Sequence, residues 1–256
     1  MILDAITWVV IDCETTGPDP KEDQLVEVAA IKFRGSTEVA RWSTLVNPGQ
    51  PIPPESSGVH HLIDEDVVDA PSSPDALKEL ARFTHGAAML VAHNAAFDRR
   101  FLKTIEAPAF NVRAEIEWDW LCTYRLARHL LPNAPNFKLS TLRYFRQLDV
   151  PRDVTAHRAL GDVVVTAALT IDLARIYEET FGPHVDVDEL LEYAQSFVRI
   201  RTWPYGKYYG RPIHDAPSDY IRWALLNSER ARLDLDFRAT LEATVLQRTS
   251  RAALAS

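Results

Sequence analysis

The sequence has almost no cysteine. Only Cys13 and Cys122 occur among 256 residues, with no CxxC pair and no metal-ligand spacing. That excludes a disulfide scaffold and a cysteine-based zinc site, and a reducing, cytoplasmic setting fits best. Long hydrophobic runs are missing too. No segment approaches the roughly 18 consecutive apolar residues of a membrane-spanning helix, so no membrane role is expected. The opening MILDAITWVVIDCETTG carries no basic leader and no small-residue cleavage pattern, so a signal peptide is not expected either. There is no internal repeat and no low-complexity tract. An excess of positive charge is missing: 28 Lys and Arg stand against 36 Asp and Glu, and the formal net charge of −8 is unlike that of a general polyanion binder.

What is present begins with ample core-forming material, since 46% of the residues are hydrophobic. The cations are unevenly placed. Residues 121–148 hold Arg125, Arg128, Lys138, Arg143 and Arg146 without an acid, and residues 199–211 hold Arg199, Arg201, Lys207 and Arg211, again without one. Acid-free basic windows in an acidic chain offer local tracks for a phosphate backbone.

Alternation and turn residues predict strands at 7–13, Gln24–Phe33 and Glu38–Val46, forming an antiparallel meander. A Pro-rich connection follows over Asn47–Pro54. Helices are expected at Pro74–His85, Asn94–Ile105, Leu121–Leu131, Leu139–Arg146 and Asp162–Glu178, with a buried strand at Ala88–Ala92. The fold class is therefore α/β. The Phe181-Gly182-Pro183 stretch is expected to divide a first domain, 1–182, from a smaller α-rich module, 183–256.

Four carboxylates occupy positions where apolar residues belong. Along VVIDCETTG, side chains alternate, so Val10, Asp12 and Glu14 share one strand face, and Cys13 turns the other way as a small buried hydrophobe. Asp98 falls on the helical stripe of Phe101, Leu102 and Ile105. Asp162 heads the stripe Val165, Leu169, Leu173 and Ile176. Burying an ionised carboxylate costs several kcal/mol unless a counter-charge meets it. Neighbouring carboxylates also push one another toward protonation. One divalent cation, or two, relieves both problems, and an all-oxygen donor set suits Mg²⁺ or Mn²⁺. His157 precedes Asp162 by five residues, which is the wrong spacing for one helix to aim both inward, so it is expected on the entering loop. An imidazole there suits a general base.

These stretches resemble the three motifs of the DEDDh 3′→5′ exonuclease superfamily. VVIDCETTG is similar to the first, HNAAFD to the second, and HRALGD (157–162) to the third in its H-x4-D form. Arg158 stands where the tyrosine branch of the superfamily has its tyrosine, which favours the histidine branch. The resemblance covers about residues 5–180. It implies a ribonuclease H-like mixed five-stranded sheet flanked by helices, and two divalent ions bridged by Asp12. Glu14 and Asp162 would help hold the ion of the attacking water, and Asp98 would support the second, with His157 as base. It further implies that Thr15 and Thr16 offer backbone and side-chain contacts to the terminal nucleotide and that Asn94 lies near the scissile phosphate. His60, within GVHHLIDEDV, and Lys138, within NFKLSTL, are implied substrate contacts. The tail WPYGKYYGRP with PSDYIRWALLN resembles the small C-terminal module of exonuclease X-like enzymes, with Lys207 and Arg211 as candidates for nucleic acid. Tyr220 and Trp223 read there as a mini-core.

The expected function is metal-dependent exonucleolysis from a free 3′ end, with DNA the favoured substrate. A protein partner through the C-terminal module is a further expectation. Two alternatives stand beside this reading: an RNA 3′-end trimmer using the same chemistry, and a non-catalytic nucleic-acid-binding or polymerase-associated module.

Overall fold

The computed structural model describes residues 2–104, 120–152, 154 and 157–254. The chain divides into two compact units, Met1–Gln195 and Ser196–Ser256.

The first unit is built on β1 (Thr7–Thr15), β2 (Leu25–Arg34), β3 (Thr37–Leu45), β4 (Met89–Ala92) and β5 (Trp120–Cys122), in the spatial order β3-β2-β1-β4-β5. The meander β1–β2–β3 is antiparallel, whereas β4 and β5 run parallel to β1. Gly35, at φ 60°, makes the tight turn between β2 and β3, and its carbonyl accepts a 2.7 Å bond from the Trp8 indole. The helices of this unit are α1 (Pro54–His60), α2 (Asp64–Val67), α3 (Ser73–Thr84), α4 (Ala96–Thr104), α5 (Thr123–Leu130), α6 (Leu139–Phe145), α7 (Ala159–Phe181) and α8 (Val187–Gln195).

Alternation along β1 sends its residues to two different cores. Trp8 and Val10 join a cluster with Leu126 of α5, Leu142 of α6, Val163, Leu169 and Leu173 of α7, and Leu190 of α8. Val9, Ile11 and Cys13 join the opposite cluster with Leu77 and Leu80 of α3 and Phe101 of α4. Asp12 and Glu14 therefore extend the face that α7 covers, at the end of the strand where the apolar layer stops. β2 reads LVEVAAIKFR and is buried along almost its whole length, as a strand with neighbours on both edges should be.

Sequence expectations change at several points of this unit. Trp120–Cys122 is a strand pairing with Leu90–Ala92, not the start of a helix. A three-residue strand running directly into α5 shares its leucine spacing with the helix, so periodicity alone merges them. The Pro-rich connection and the following loop hold two short helices, α1 and α2. The first unit also continues past the expected boundary at 182. Gly182, at φ 101°, does end α7, but α8 then packs Leu190, Leu191 and Ala194 back into the first core. Ile105, the expected last residue of the helix begun at Asn94, lies outside the described residues.

The second unit packs α9 (Ser218–Asn227), α10 (Glu229–Leu233) and α11 (Leu235–Leu254) around Trp203, Ile213, Ile221, Phe237 and Leu241. The loop preceding α9 doubles back on itself, with Trp203 N–H donating to the Arg211 carbonyl at 2.8 Å and Gly210 N–H donating to the Trp203 carbonyl at 2.9 Å. Of the expected mini-core pair, Tyr220 packs against the core of this unit, its ring centroid 5.1 Å from that of Trp203, whereas Trp223 lies outside it. Trp223 is 51% exposed and stacks on the half-buried Tyr220, and the buried aromatics are Trp203 and Phe237. Among the described residues no helix is long and apolar enough to cross a membrane.

Candidate active site

Oxygens of Asp12, Glu14 and Asp162 lie within 4.8 Å of one another. Two come from the last turns of pleat in β1, and the third from the first turn of α7, which crosses that face of the sheet. Asp98, in the first turn of α4, stands outside this set but beside it. It is 2% exposed, and its Oδ1 accepts the Cys13 amide hydrogen at 3.1 Å. That amide lies between Asp12 and Glu14, so the bond ties the fourth carboxylate to the strand that carries the first two.

The crowding has the expected electrostatic result. Burial raises Asp12 well above the usual carboxylate range, and the charges of Asp98, Asp162, Glu14 and Glu27 raise it further. Burial, then Asp162, Glu27 and Asp98, pushes Glu14 up to about 8, against a smaller opposing pull from Arg158. Burial takes Asp98 to about 7, although hydrogen bonds to the backbone resist it. Asp162 is raised by burial and drawn back by the charge and backbone amide of His157. Such a cluster is stable in its ionised form only with cationic charge among the carboxylates. Closely gathered hard oxygens, with no sulfur or imidazole in the set, fit a divalent ion of the Mg²⁺ or Mn²⁺ type.

His157 lies exposed two residues before α7, with φ 59° in the left-handed region. Asn94 is likewise exposed and left-handed, at φ 68°, in the turn that opens α4, so this helix starts at Ala96 rather than at Asn94. Lys138 is exposed at the N-terminus of α6. His93, which sequence reasoning passed over, connects the last two regions. Its ring spans Thr123 Oγ1 and the Phe137 carbonyl, each at 2.9 Å, and burial holds it neutral with a pKa of about 4. It thereby fastens the neighbour of Asn94 to the neighbour of Lys138.

The expected nucleotide contacts near β1 are more enclosed. Thr15 Oγ1 donates to the Gly17 carbonyl at 2.7 Å. Thr16, 2% exposed, donates to Asp23 at 3.2 Å and accepts from the Gln24 amide at 3.0 Å and the Gln50 side chain at 2.9 Å. Its hydroxyl is thus consumed in holding the loop ahead of α1. His60 is 1% exposed; its Nδ1 accepts from the Leu62 amide at 3.1 Å, while its Nε2 meets no partner in good hydrogen-bond geometry among the described residues. Burial lowers its pKa. Lys207 and Arg211 are exposed in the second unit, flanking the exposed Tyr209.

Sequence reasoning also missed Glu27, the one acid inside β2. A carboxylate in the apolar run LVEVAAI was a readable signal, but its partner, Arg158, is 131 residues away.

A match to the Exonuclease family spans residues 9–170. Exodeoxyribonuclease 10 of Escherichia coli (strain K12) is 31% identical over 244 residues, which cover 92% of this chain and 99% of that protein. The DNA polymerase III subunit epsilon of Treponema pallidum (strain Nichols) is 38% identical over 166 residues, 64% of this chain and 74% of that protein. Among solved structures, exonuclease X in complex with 5′ overhanging duplex DNA aligns at 30% identity with a TM-score of 0.57, over 73% of this chain and 99% of that one.

Proposed function

The chain belongs to the exonuclease family and is a 3′→5′ exonuclease of the DEDDh type; on that premise we propose that it degrades DNA from the 3′ end to nucleoside 5′-monophosphates, using two divalent ions, Mg²⁺ or Mn²⁺, with His157 as general base. The observation that carries the proposal is the gathering of Asp12, Glu14 and Asp162 within 4.8 Å, with the buried Asp98 tied to the same strand.

Asp12, Glu14 and Asp162 hold the ions in this reading, and Asp98 supports them from α4. When bound, the ions neutralise the acidic cluster, acidify the attacking water and stabilise charge on the scissile phosphate. An imidazole nitrogen of His157 takes a proton from that water as its oxygen bonds to phosphorus. The bond from phosphorus to the 3′ oxygen breaks, and that oxygen takes a proton from solvent water to become the new 3′ hydroxyl. Exposure and a loop position leave His157 free to reach the water. In the same reading the backbone at Thr15 and Thr16 contacts the terminal nucleotide, Asn94 lies near the scissile phosphate, Lys138 faces the strand's backbone, and His60, 1% exposed, serves as a structural part of its loop; the hydroxyl of Thr16 takes no part, because it is already spent. Lys207 and Arg211 grip the strand or a protein partner. A reducing cytoplasm belongs to the same proposal and rests on two free thiols.

The preference for DNA is supported by what the similar proteins are called: an exodeoxyribonuclease, and an exonuclease solved with duplex DNA. The test is a matched pair of 3′-labelled DNA and RNA strands incubated with Mg²⁺ or Mn²⁺. Mononucleotides should appear from DNA, faster than from RNA, and EDTA should stop their release. Faster release from RNA would make the chain an exoribonuclease, and release of longer fragments would refute exonucleolysis.

A further inference from the structure

Glu27 faces Glu14 directly across the β1–β2 ladder, yet it is treated differently. It is 5% exposed, and both of its oxygens are engaged. Arg158 grips them with its planar fork, Nη2 to Oε1 at 2.9 Å and Nε to Oε2 at 3.0 Å. The amide of Ala159 adds a third bond to Oε2 at 3.0 Å. Ala159 is the first residue of α7, Arg158 is its N-cap position, and no side chain from the helix's own N-cap satisfies the free amides there. Glu27 does so from a neighbouring strand.

The residues fixed by these bonds are those next to the chemistry. His157 immediately precedes Arg158 and holds a left-handed backbone, φ 59°, that a non-glycine residue keeps only when its surroundings impose it. Asp162 follows within the first turn of α7, with its amide bonded to the Arg158 carbonyl at 3.0 Å. Glu27 is rooted in the strand that pairs with β1, which carries Asp12 and Glu14. The lateral position of α7 on that face is thus referenced to the same sheet as its partner acids. Glu27 has three donors and belongs outside the Asp12, Glu14 and Asp162 set, so it is not a further metal ligand.

We propose that the Glu27–Arg158 pair is a positioning device for catalysis, capping α7 from β2 so that Asp162 and His157 are presented to Asp12 and Glu14. The inference rests on the proposed metal site and general base. Loss of a residue that orients a metal ligand typically costs 10–100-fold in metal affinity or activity. In folded Arg158→Ala, Mn²⁺ affinity by calorimetry and kcat on 3′-labelled DNA should each fall about 10–100-fold, while KM moves little. Arg158→Lys should recover only part of both, because an ammonium cannot make the fork. Glu27→Ala combined with Arg158→Ala should be hardly worse than either alone.

A folded Arg158→Ala that melts earlier but keeps wild-type Mn²⁺ affinity and kcat would reduce the pair to ordinary stability and overturn the proposal. A rise confined to KM would make Arg158 a substrate contact and overturn it equally. If Arg158→Ala does not fold, Glu27→Gln and Arg158→Lys carry the same two readouts, and parity with the wild type overturns it. Asp12→Ala separates the two levels. Retention of Mn²⁺ binding there refutes the metal site itself, whereas loss there with retention in Arg158→Ala refutes the positioning role alone.

Discussion

Asp236 in the second unit is buried and Asp12 in the first is half-buried, and their surroundings differ. Asp236 is 6% exposed and accepts the Val198 amide at 3.1 Å, and one turn on, Thr240 accepts the Ile200 amide at 3.0 Å. Those bonds fasten the incoming chain to α11, so burial there builds structure. Asp12 meets Glu14, Asp162 and Asp98, and desolvation followed by the company of like charges raises its pKa. Glu27 is the third case, a buried acid beside the cluster but neutralised by Arg158. Burial of a polar group is therefore not the sign of function. Burial of several like charges without enough counter-charge is.

The largest expected effect tests that contrast at its centre. Asp12→Ala should lower kcat/KM by about 10³-fold or more, because several kcal/mol of charge stabilisation at the phosphate is lost with the ion. Circular dichroism and thermal melting should show the fold intact. Survival of activity would erase the distinction between Asp12 and an ordinary buried acid. Next in size, His157→Ala should reduce kcat about 10²–10⁴-fold with little change in KM. Steady-state kinetics on a short labelled strand would measure this, and a change in KM alone would remove its role as base.

Metal removal sharpens the comparison through pH. In EDTA, Glu14 at about 8 and Asp98 at about 7 hold protons that the unfolded chain has already released. At these two groups the native state then binds more protons than the unfolded state, so they contribute stability that is fully present below about pH 4 and is lost as pH rises through about 8. His93 works oppositely and only below about 6.5, where the unfolded imidazole gains a proton that the buried ring refuses. Urea unfolding between pH 6.5 and 8.5 should therefore show falling stability in EDTA, and saturating Mn²⁺ should abolish the decline. A flat profile in EDTA would mean that the acids are not mutually strained.

In the other unit, Asp236→Ala should cost about 1–3 kcal/mol by leaving an amide unpaired, without altering Mn²⁺ affinity. The smallest effect belongs to the surface: Lys207→Ala with Arg211→Ala should weaken DNA binding modestly and reduce its salt dependence by about one ion per residue. An unchanged salt slope would direct this loop toward a protein partner.

Much of this was readable along the chain. The alternation Val10, Asp12, Glu14 follows from strand geometry, and Asp98 and Asp162 betray themselves by occupying apolar helical stripes. Other features escaped local reading. β5 is three residues long and is defined by pairing with β4, so nothing within it distinguishes strand from helix. The hydroxyl of Thr16 looks available until Asp23, Gln24 and Gln50 close on it. The first unit runs on through α8 because Leu190 and Leu191 find a core laid down by distant segments.

The sequence by itself determined the repeating patterns and the carboxylates that break them, because both are set by backbone geometry within a few residues. Only the tertiary structure decided that Asp162 meets Asp12 and Glu14, that Glu27 caps a helix by way of Arg158, and which hydroxyls remain free. The first two depend on bonds and charges brought together from more than a hundred residues apart, and the third on partners as far as 34 residues away. No local pattern specifies such a partner, since it is chosen by how the sheet and helices pack.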